Sequence, residues 1–375
     1  MYMTLIAQQV AQFLTWSPTK INQFRQTLLA WYDQEGRQLP WRVDQEPYHI
    51  MISELMLQQT QVQTVIPYYQ NFLAKFPTVD DLAAATETDL LNAWSGLGYY
   101  SRARNLQKAA QQIVNDYQGQ WPQTAVELQN LAGIGPYTAS AIASIAFNEP
   151  VAAIDGNAFR VFARLLEIDL DITKPKSRLV FQEVGNRLID PKRPGEFNQA
   201  IMDLGSSYMT AKNPDSAHSP IREFNQSWQN GTELNYPVRT KKAKPVPIDY
   251  YGLAIHSPAG WLFEKRPEKG MLAHLWMFPL IKVEALDDVS GDSALEQLAV
   301  VFAEQSGLEL NFQPTELKPV THTFTHQKWQ ITIVTAELKT AENLEFFPGQ
   351  WVPQDKIAEL PMPTVQAKIN QRLFK

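Results

Sequence analysis

Apolar residues recur at three- and four-residue spacing from Ser17 to about Gln229, broken at short intervals by proline or glycine. That pattern predicts a succession of amphipathic helices. In TAVELQNLA, Thr124 and Glu127 make a capping-box pattern after Pro122, and Leu128 and Leu131 with Val126 supply the predicted buried side. LQNLAGIGPYTASAIASIAF predicts two helices joined by a tight turn through Gly133, Ile134 and Gly135, with Pro136 suited to the first turn of the second. In VAAIDGNAFRVFARLL, Asp155 stands at a turn with Gly156 and Asn157, before an amphipathic helix built on Phe159, Phe162 and Leu165. The periodicity lapses over residues 230–247, which hold three prolines and a basic run from Arg239 to Lys244, as expected of an exposed linker. Beyond it YYGLAIHS, WLFEKRP and QKWQITIVTAEL alternate as strands do, and SALEQLAVVFAEQSG reads as one helix, an α+β pattern. The expected organisation is an all-α domain over 1–229, a linker over 230–247 and an α+β domain over 248–375, with no internal repeat.

With 375 residues and 44% hydrophobic content, the chain can bury two cores. Its 33 basic and 39 acidic residues leave a net charge of -6, so a nucleic-acid partner would have to be gripped by local cationic patches and backbone amides. The chain has no cysteine, which excludes disulfides, thiolate zinc sites, cysteine-held iron-sulfur clusters and a cysteine nucleophile. Met1 to Trp16 lacks a basic start and is interrupted by Gln8, Gln9 and Gln12, unlike a secretory signal, and no run is long enough to span a bilayer. A soluble cytoplasmic protein with no membrane partner is expected, nucleoid-associated if bacterial.

Several residues could carry chemistry. Gly133 and Gly135 would let backbone pass close to another molecule, and the amides of the following helix favour an anion such as a DNA phosphate, although an ordinary helical hairpin has the same spacing. Asp155 could equally be a simple helix cap. Glu54 lies among Ile52, Leu55, Met56 and Leu57, where burial would raise a carboxyl pKa and keep a proton available; a lone glutamate is more often a solvated helix-face residue. Gln58, Gln59, Gln61 and Gln63 offer amides for base edges or simply a polar face.

The hairpin string and the DGNAFRVFARLL segment resemble the helix-hairpin-helix superfamily of DNA glycosylases. With LPWR, PYHIMISELMLQQTQVQTVIPYY and GLGYYSRARNL, the resemblance narrows to the adenine-excising MutY type. It implies Glu54 as proton donor to adenine N7, Asp155 facing the sugar cation, Asn157 orienting that aspartate and Tyr137 touching the substrate nucleotide. Strand-cutting relatives of the endonuclease III type carry at that position a lysine that forms a Schiff base; the phenol of Tyr137 cannot, so a monofunctional enzyme is implied. Gln59 and Tyr99 match positions that enter the base stack, and Arg42 matches, more weakly, a contact at the adenine end of the pocket.

EKRPEKGMLAHLWMFPL and VTHTFTHQKWQITIV resemble the Nudix-like domain with which such enzymes recognise 8-oxoguanine opposite adenine. The fold implied is thus multidomain: an all-α helix-hairpin-helix glycosylase domain plus a C-terminal α+β Nudix-like domain. No REXXEE cluster lies between Lys282 and Leu308, which disfavours a magnesium-dependent nucleotide hydrolase. Phe324, Thr325 and His326 match the loop that probes the oxidised base, although strand alternation also accounts for them.

After DLGSSYM the family carries four iron-sulfur cysteines; the matching positions here are Met209, Ser216, Ser219 and Asn225, none a competent ligand. This loop is expected to hold by capping, by packing of Phe224 and Trp228 and by hydrogen bonds, with His218 a surface residue. The resemblance implies no cofactor beyond a structural monovalent ion that relatives carry at the hairpin, and a monomer acting on duplex DNA with 8-oxoguanine:adenine mispairs.

Overall fold

The computed structural model describes residues 2–241, 243–286, 291–339, 344 and 347–374. They form two compact units, Met1–Ala85 with Ser101–Lys241, and Thr86–Tyr100 with Lys242–Lys375. The first is helical. Its principal helices Pro18–Glu35, Pro47–Leu57, Pro136–Ala146, Pro175–Leu188 and Pro194–Ser206 each begin with proline, whose missing N–H would have had no partner in the first turn. Phe159, Phe162 and Leu165 of the Gly156–Leu166 helix are buried as their spacing predicts, in a core with Phe24, Leu28, Phe181 and Phe197. A helix over Tyr2–Phe13 precedes the predicted start.

The Thr124–Glu127 capping box forms, but its helix is only Ala125–Leu128, and Val126 is 76% exposed rather than part of the buried side. Of the three apolar residues expected inside, Leu128 and Leu131 turn inward, with Ala125 beside them, because the chain breaks into turns before a second helical repeat. The first unit also extends to Lys241. Asn230 donates to Glu167 at 2.9 Å, Ile172 N–H donates to the Val238 carbonyl at 3.1 Å, and the Thr240 hydroxyl donates to Asp171.

The loop after Pro194–Ser206 is held without metal ligands. Met209 is in the core, and Ser216, Ser219 and Asn225 are buried. The Asn225 side-chain carbonyl caps the Gln226–Gln229 helix, accepting from Trp228 N–H at 3.3 Å and from the Ser227 hydroxyl at 3.0 Å. Its amide donates to Ser216 Oγ at 3.2 Å and to Glu233 at 3.3 Å, and the Ser216 hydroxyl also donates to Glu233. Phe224 packs on Trp16 and Phe24. Trp228, expected to pack as well, is 37% exposed. His218 is at the surface, paired with Asp215 at 2.7 Å. A thioether, two hydroxyls and an amide do not fit an iron-sulfur cluster, and three of them have become a hydrogen-bonded or buried polar group.

The second unit is built on a mixed sheet of β1 (Val246–Ser257), β2 (Gly260–Lys265), β3 (Trp276–Met277), β4 (Leu280–Lys282), β5 (Gln313–Pro314), β6 (Val320–Thr323), β7 (Gln327–Glu337) and β8 (Gly349–Val352). The path runs β3-β2-β1-β7-β5, with β4 on β1, β6 on β7 and β8 on β2; β1 and β7 pair in parallel, Tyr250 opposite Ile331. Alternation sends Leu253, Ile255 and Val334 to one face with Leu298 and Phe302 of the Asp292–Ser306 helix. Ala254, Ile331 and Ile333 point to the other, with Val365 and Ile369 of a second helix, Thr364–Leu373. That helix was not foreseen, since its buried apolar stripe is little more than those two residues. Among the described residues no helix is long and apolar enough to cross a membrane.

Candidate active site

Glu54 lies on the Pro47–Leu57 helix, flanked by buried Ile52, Leu55 and Met56, and is itself only 6% exposed. Burial pushes its carboxyl up to about 7, against the opposing effect of a hydrogen bond from Tyr137. That bond, Tyr137 hydroxyl to Glu54 Oε2 at 2.7 Å, joins the helix to Pro136–Ala146. Burial and the neighbouring carboxylates hold the phenol far above its ordinary pKa, so it remains a donor.

Asp155 is both a cap and a half-buried acid. Its Oδ1 accepts from Ala158 N–H at 2.7 Å, capping Gly156–Leu166, and its Oδ2 accepts from the Asn157 amide at 2.8 Å. Burial raises its pKa while these donors oppose the rise, and its charge in turn raises Glu54. Arg160 settles the orientation of Asn157. It donates to Asn157 Oδ1 at 2.7 Å and to the Gly205 carbonyl at 2.6 Å, so the amide nitrogen faces Asp155. A Cβ on Gly205 would stand 2.6 Å from Asn157 Cβ, so this approach requires glycine.

Arg42 donates to both carboxylate oxygens of Asp203, at 2.8 and 2.9 Å. Burial alone would raise the Asp203 pKa; Arg42, with Arg37, outweighs it and holds the carboxylate below its usual range. The Arg42 charge also acts on Glu54, in the lowering direction. Beside Arg42 opens a cavity of about 380 Å³ lined by Tyr32, Ser144, Glu196 and Gln199, among others; Glu54, Tyr137 and Asp155 do not line it. Glu54, Tyr137, Asp155, Asn157 and Arg42 are thus gathered in one region. Arg160 and Asp203, which orient two of them, were not singled out in the sequence; the signal available was an arginine one turn into the helix that follows Asp155, and the acid of DLG.

Gln59 is elsewhere in the first unit, exposed, with a left-handed backbone at φ 60°. Arg102, also unforeseen, shapes this turn: its guanidinium donates to the carbonyls of Leu55, Met56 and Gln58 at 2.6–3.0 Å, closing the end of the Glu54 helix. In the hairpin, Gly133 has φ +73°, and a Cβ there would stand 2.5 Å from Asn105 Cβ. Gly135 precedes the Pro136–Ala146 helix and faces open space, with nothing within 4 Å of where a Cβ would lie.

Tyr99, Phe324, Thr325 and His326 belong to the second unit. The last three form the turn between β6 and β7, closed by Phe324 N–H to the Gln327 carbonyl at 2.7 Å, not a continuous strand. Phe324 packs its ring against His322 and Trp329, while Thr325 and His326 are exposed.

A helical unit with a glycine hairpin and a buried carboxyl beside a half-buried one, in a chain that also carries a mixed-sheet unit, is the architecture of a base-excision repair protein. Residues 52–187 match the HhH-GPD superfamily of base excision DNA repair proteins, and residues 250–372 match the NUDIX domain. The adenine DNA glycosylase of Mus musculus is 33% identical over 93% of this chain and 77% of its own length, and that of Homo sapiens 32% identical over 93% and 74%. The chain belongs to the adenine DNA glycosylase family, enzymes that hydrolyse N-glycosidic bonds in DNA, and within it lacks every cysteine. The fold of the helical unit is also that of a thermostable thymine-DNA glycosylase (TM-score 0.50, 24% identity, covering 56% of this chain and 98% of that one).

Proposed function

We propose that this glycosylase removes adenine from 8-oxoguanine:adenine mispairs, and from guanine:adenine pairs more slowly. The observation that carries the mechanism is the buried Glu54 carboxyl, poised at about 7 and fixed by Tyr137. At neutral pH it holds a proton for a substantial fraction of molecules and delivers it to adenine N7. The C1′–N9 bond then breaks with its electrons leaving on the protonated base, and Asp155, oriented by Asn157, stabilises the sugar cation until water adds. Tyr137 offers no amine for a Schiff base, so the product is an abasic site in an uncut strand. Arg42, whose charge acts on Glu54, stands at the adenine end of this site.

In this reading Gln59 and Tyr99 enter the stack vacated by the flipped nucleotide, and the open side of Gly133–Gly135 faces a DNA phosphate. Phe324, Thr325 and His326 read the base opposite adenine. The test is single-turnover base release from duplexes with adenine opposite 8-oxoguanine or guanine, and with thymine glycol, for the wild type and Asp155→Asn. Fast adenine release opposite 8-oxoguanine, slowed about 10³-fold by the substitution, is expected. Binding without release, or an enzyme-DNA adduct trapped by borohydride, would overturn the mechanism.

A further inference from the structure

Two carboxyls, Asp203 and Glu54, lie in the field of one buried cation, the Arg42 guanidinium, whose side chain is 9% exposed. Asp203, on the Pro194–Ser206 helix, holds both arms of the fork, with Nη1 on Oδ2 at 2.8 Å and Nη2 on Oδ1 at 2.9 Å. Nη1 also donates to the Arg37 carbonyl at 3.3 Å, and the Tyr32 ring lies 5.7 Å from the guanidinium. Arg37, more than a third exposed, adds its backbone N–H at 3.0 Å and its Nε at 2.6 Å to the same carboxylate. Among the described residues, the donor to the Glu54 carboxyl is the neutral Tyr137 hydroxyl, with Asp155 as the neighbouring negative charge. Arg102, at the end of the Glu54 helix, turns its guanidinium to the backbone carbonyls of Leu55, Met56 and Gln58.

A guanidinium stays charged at any working pH, and in a buried site it ionises the carboxyl with which it pairs. Were Glu54 that partner, its proton would be gone before adenine arrived. The fork grips one carboxylate with both arms at a time, and here it grips Asp203. We propose that Asp203 is a positioning residue for the proton donor: by engaging both arms of Arg42 it keeps that cation from pairing with Glu54, so the proton stays on Glu54 until it is transferred. This rests on the reading of Glu54 as the donor. It also accounts for the opposite fates of the two carboxyls, since burial acts on both in the same direction. Asp203 is driven below its usual range by the two arginines, and Glu54 is pushed up to about 7.

The test follows single-turnover adenine release opposite 8-oxoguanine from pH 5.5 to 9 in wild type, Glu54→Gln, Asp203→Asn, Arg42→Gln and the Asp203→Asn/Arg42→Gln double variant. In Asp203→Asn the freed guanidinium turns to Glu54, and the falling limb of the profile begins at least about one pH unit below that of wild type, the least that a close opposite charge brings. The rate at pH 8 therefore drops about tenfold, while toward pH 5.5 it approaches wild type. In the double variant no cation is left to pair with Glu54, and the limb lies at or above its wild-type position. The position of the limb is read whatever the height of the plateau, so partial unfolding does not hide it. If Asp203→Asn does not fold, Arg42→Gln carries the test, since Asp203 keeps Arg37 there; its limb must not lie below wild type. A merely structural role for Asp203 would lower the rate equally at every pH. That outcome, a downward shift that persists in the double variant, or a lowered limb in Arg42→Gln overturns the proposal. A wild type without the limb, or a limb that survives in Glu54→Gln, would instead sink the underlying reading of Glu54.

Discussion

Two groups of polar side chains in the helical unit are each centred on a buried residue, Asn225 in one and Glu54 in the other, and they are built on opposite principles. In the Ser216–Asn225–Glu233 group, Asn225 uses both lone-pair directions of its carbonyl and both amide protons, so its burial leaves nothing wanting. In the Glu54–Tyr137–Asp155 group, Glu54 has the Tyr137 hydroxyl beside it and a raised pKa, and the second carboxylate raises it further. A satisfied buried group contributes order; one held short of satisfaction keeps a proton at hand and costs stability. The first ties down the loop that follows the Pro194–Ser206 helix, and the second is where chemistry can occur.

The comparison can be broken at either end. The largest effect is expected from Glu54→Gln, which should slow adenine release by about 10³- to 10⁴-fold, the upper reach of general acid catalysis. The same substitution should stabilise the fold at pH 8. The Glu54 carboxyl has a folded pKa near 7 against 4.5 for an unperturbed glutamate, so its stability contribution is complete below 4.5 and lost as pH rises through 7. Removing the titration recovers about 3 kcal/mol at pH 8 and little at pH 4, which denaturant melts at the two pH values will show; a loss of stability at pH 8 would contradict the assignment.

Asn225→Ala should act in the reverse sense, costing roughly 2–3 kcal/mol because Ser216 and Glu233 lose a buried partner. The folded fraction should release adenine at the wild-type rate, measured well below the melting midpoint. A smaller effect sharpens the second group: the wild-type single-turnover rate should be level below pH 7 and decline by up to tenfold per unit above it, and a rate rising through pH 7 would exclude Glu54 as proton donor. Trp228→Ala should shift stability by only about 0.5 kcal/mol, since the ring is partly exposed and Phe224 carries the packing.

Much of this was legible locally. Apolar flanks around Glu54 announced its burial, the capping pattern at Thr124 and Glu127 formed, and the spacing of Phe159, Phe162 and Leu165 named the inward face of the helix that Asp155 begins. The lack of cysteine excluded a thiolate cluster outright. The sequence by itself therefore determined element types, most inward faces and the chemical identity of the carboxyls, because periodicity and capping act over one or two turns of chain. Only the tertiary structure decided that Arg42 anchors on Asp203, that Arg160 turns Asn157 toward Asp155, that residues 230–241 fold back on the helical unit, and that Tyr99 meets Thr325. Those contacts, apart from the Arg160 turn, join positions tens to hundreds of residues apart, and no local pattern encodes which donor a folded chain will deliver to which acceptor.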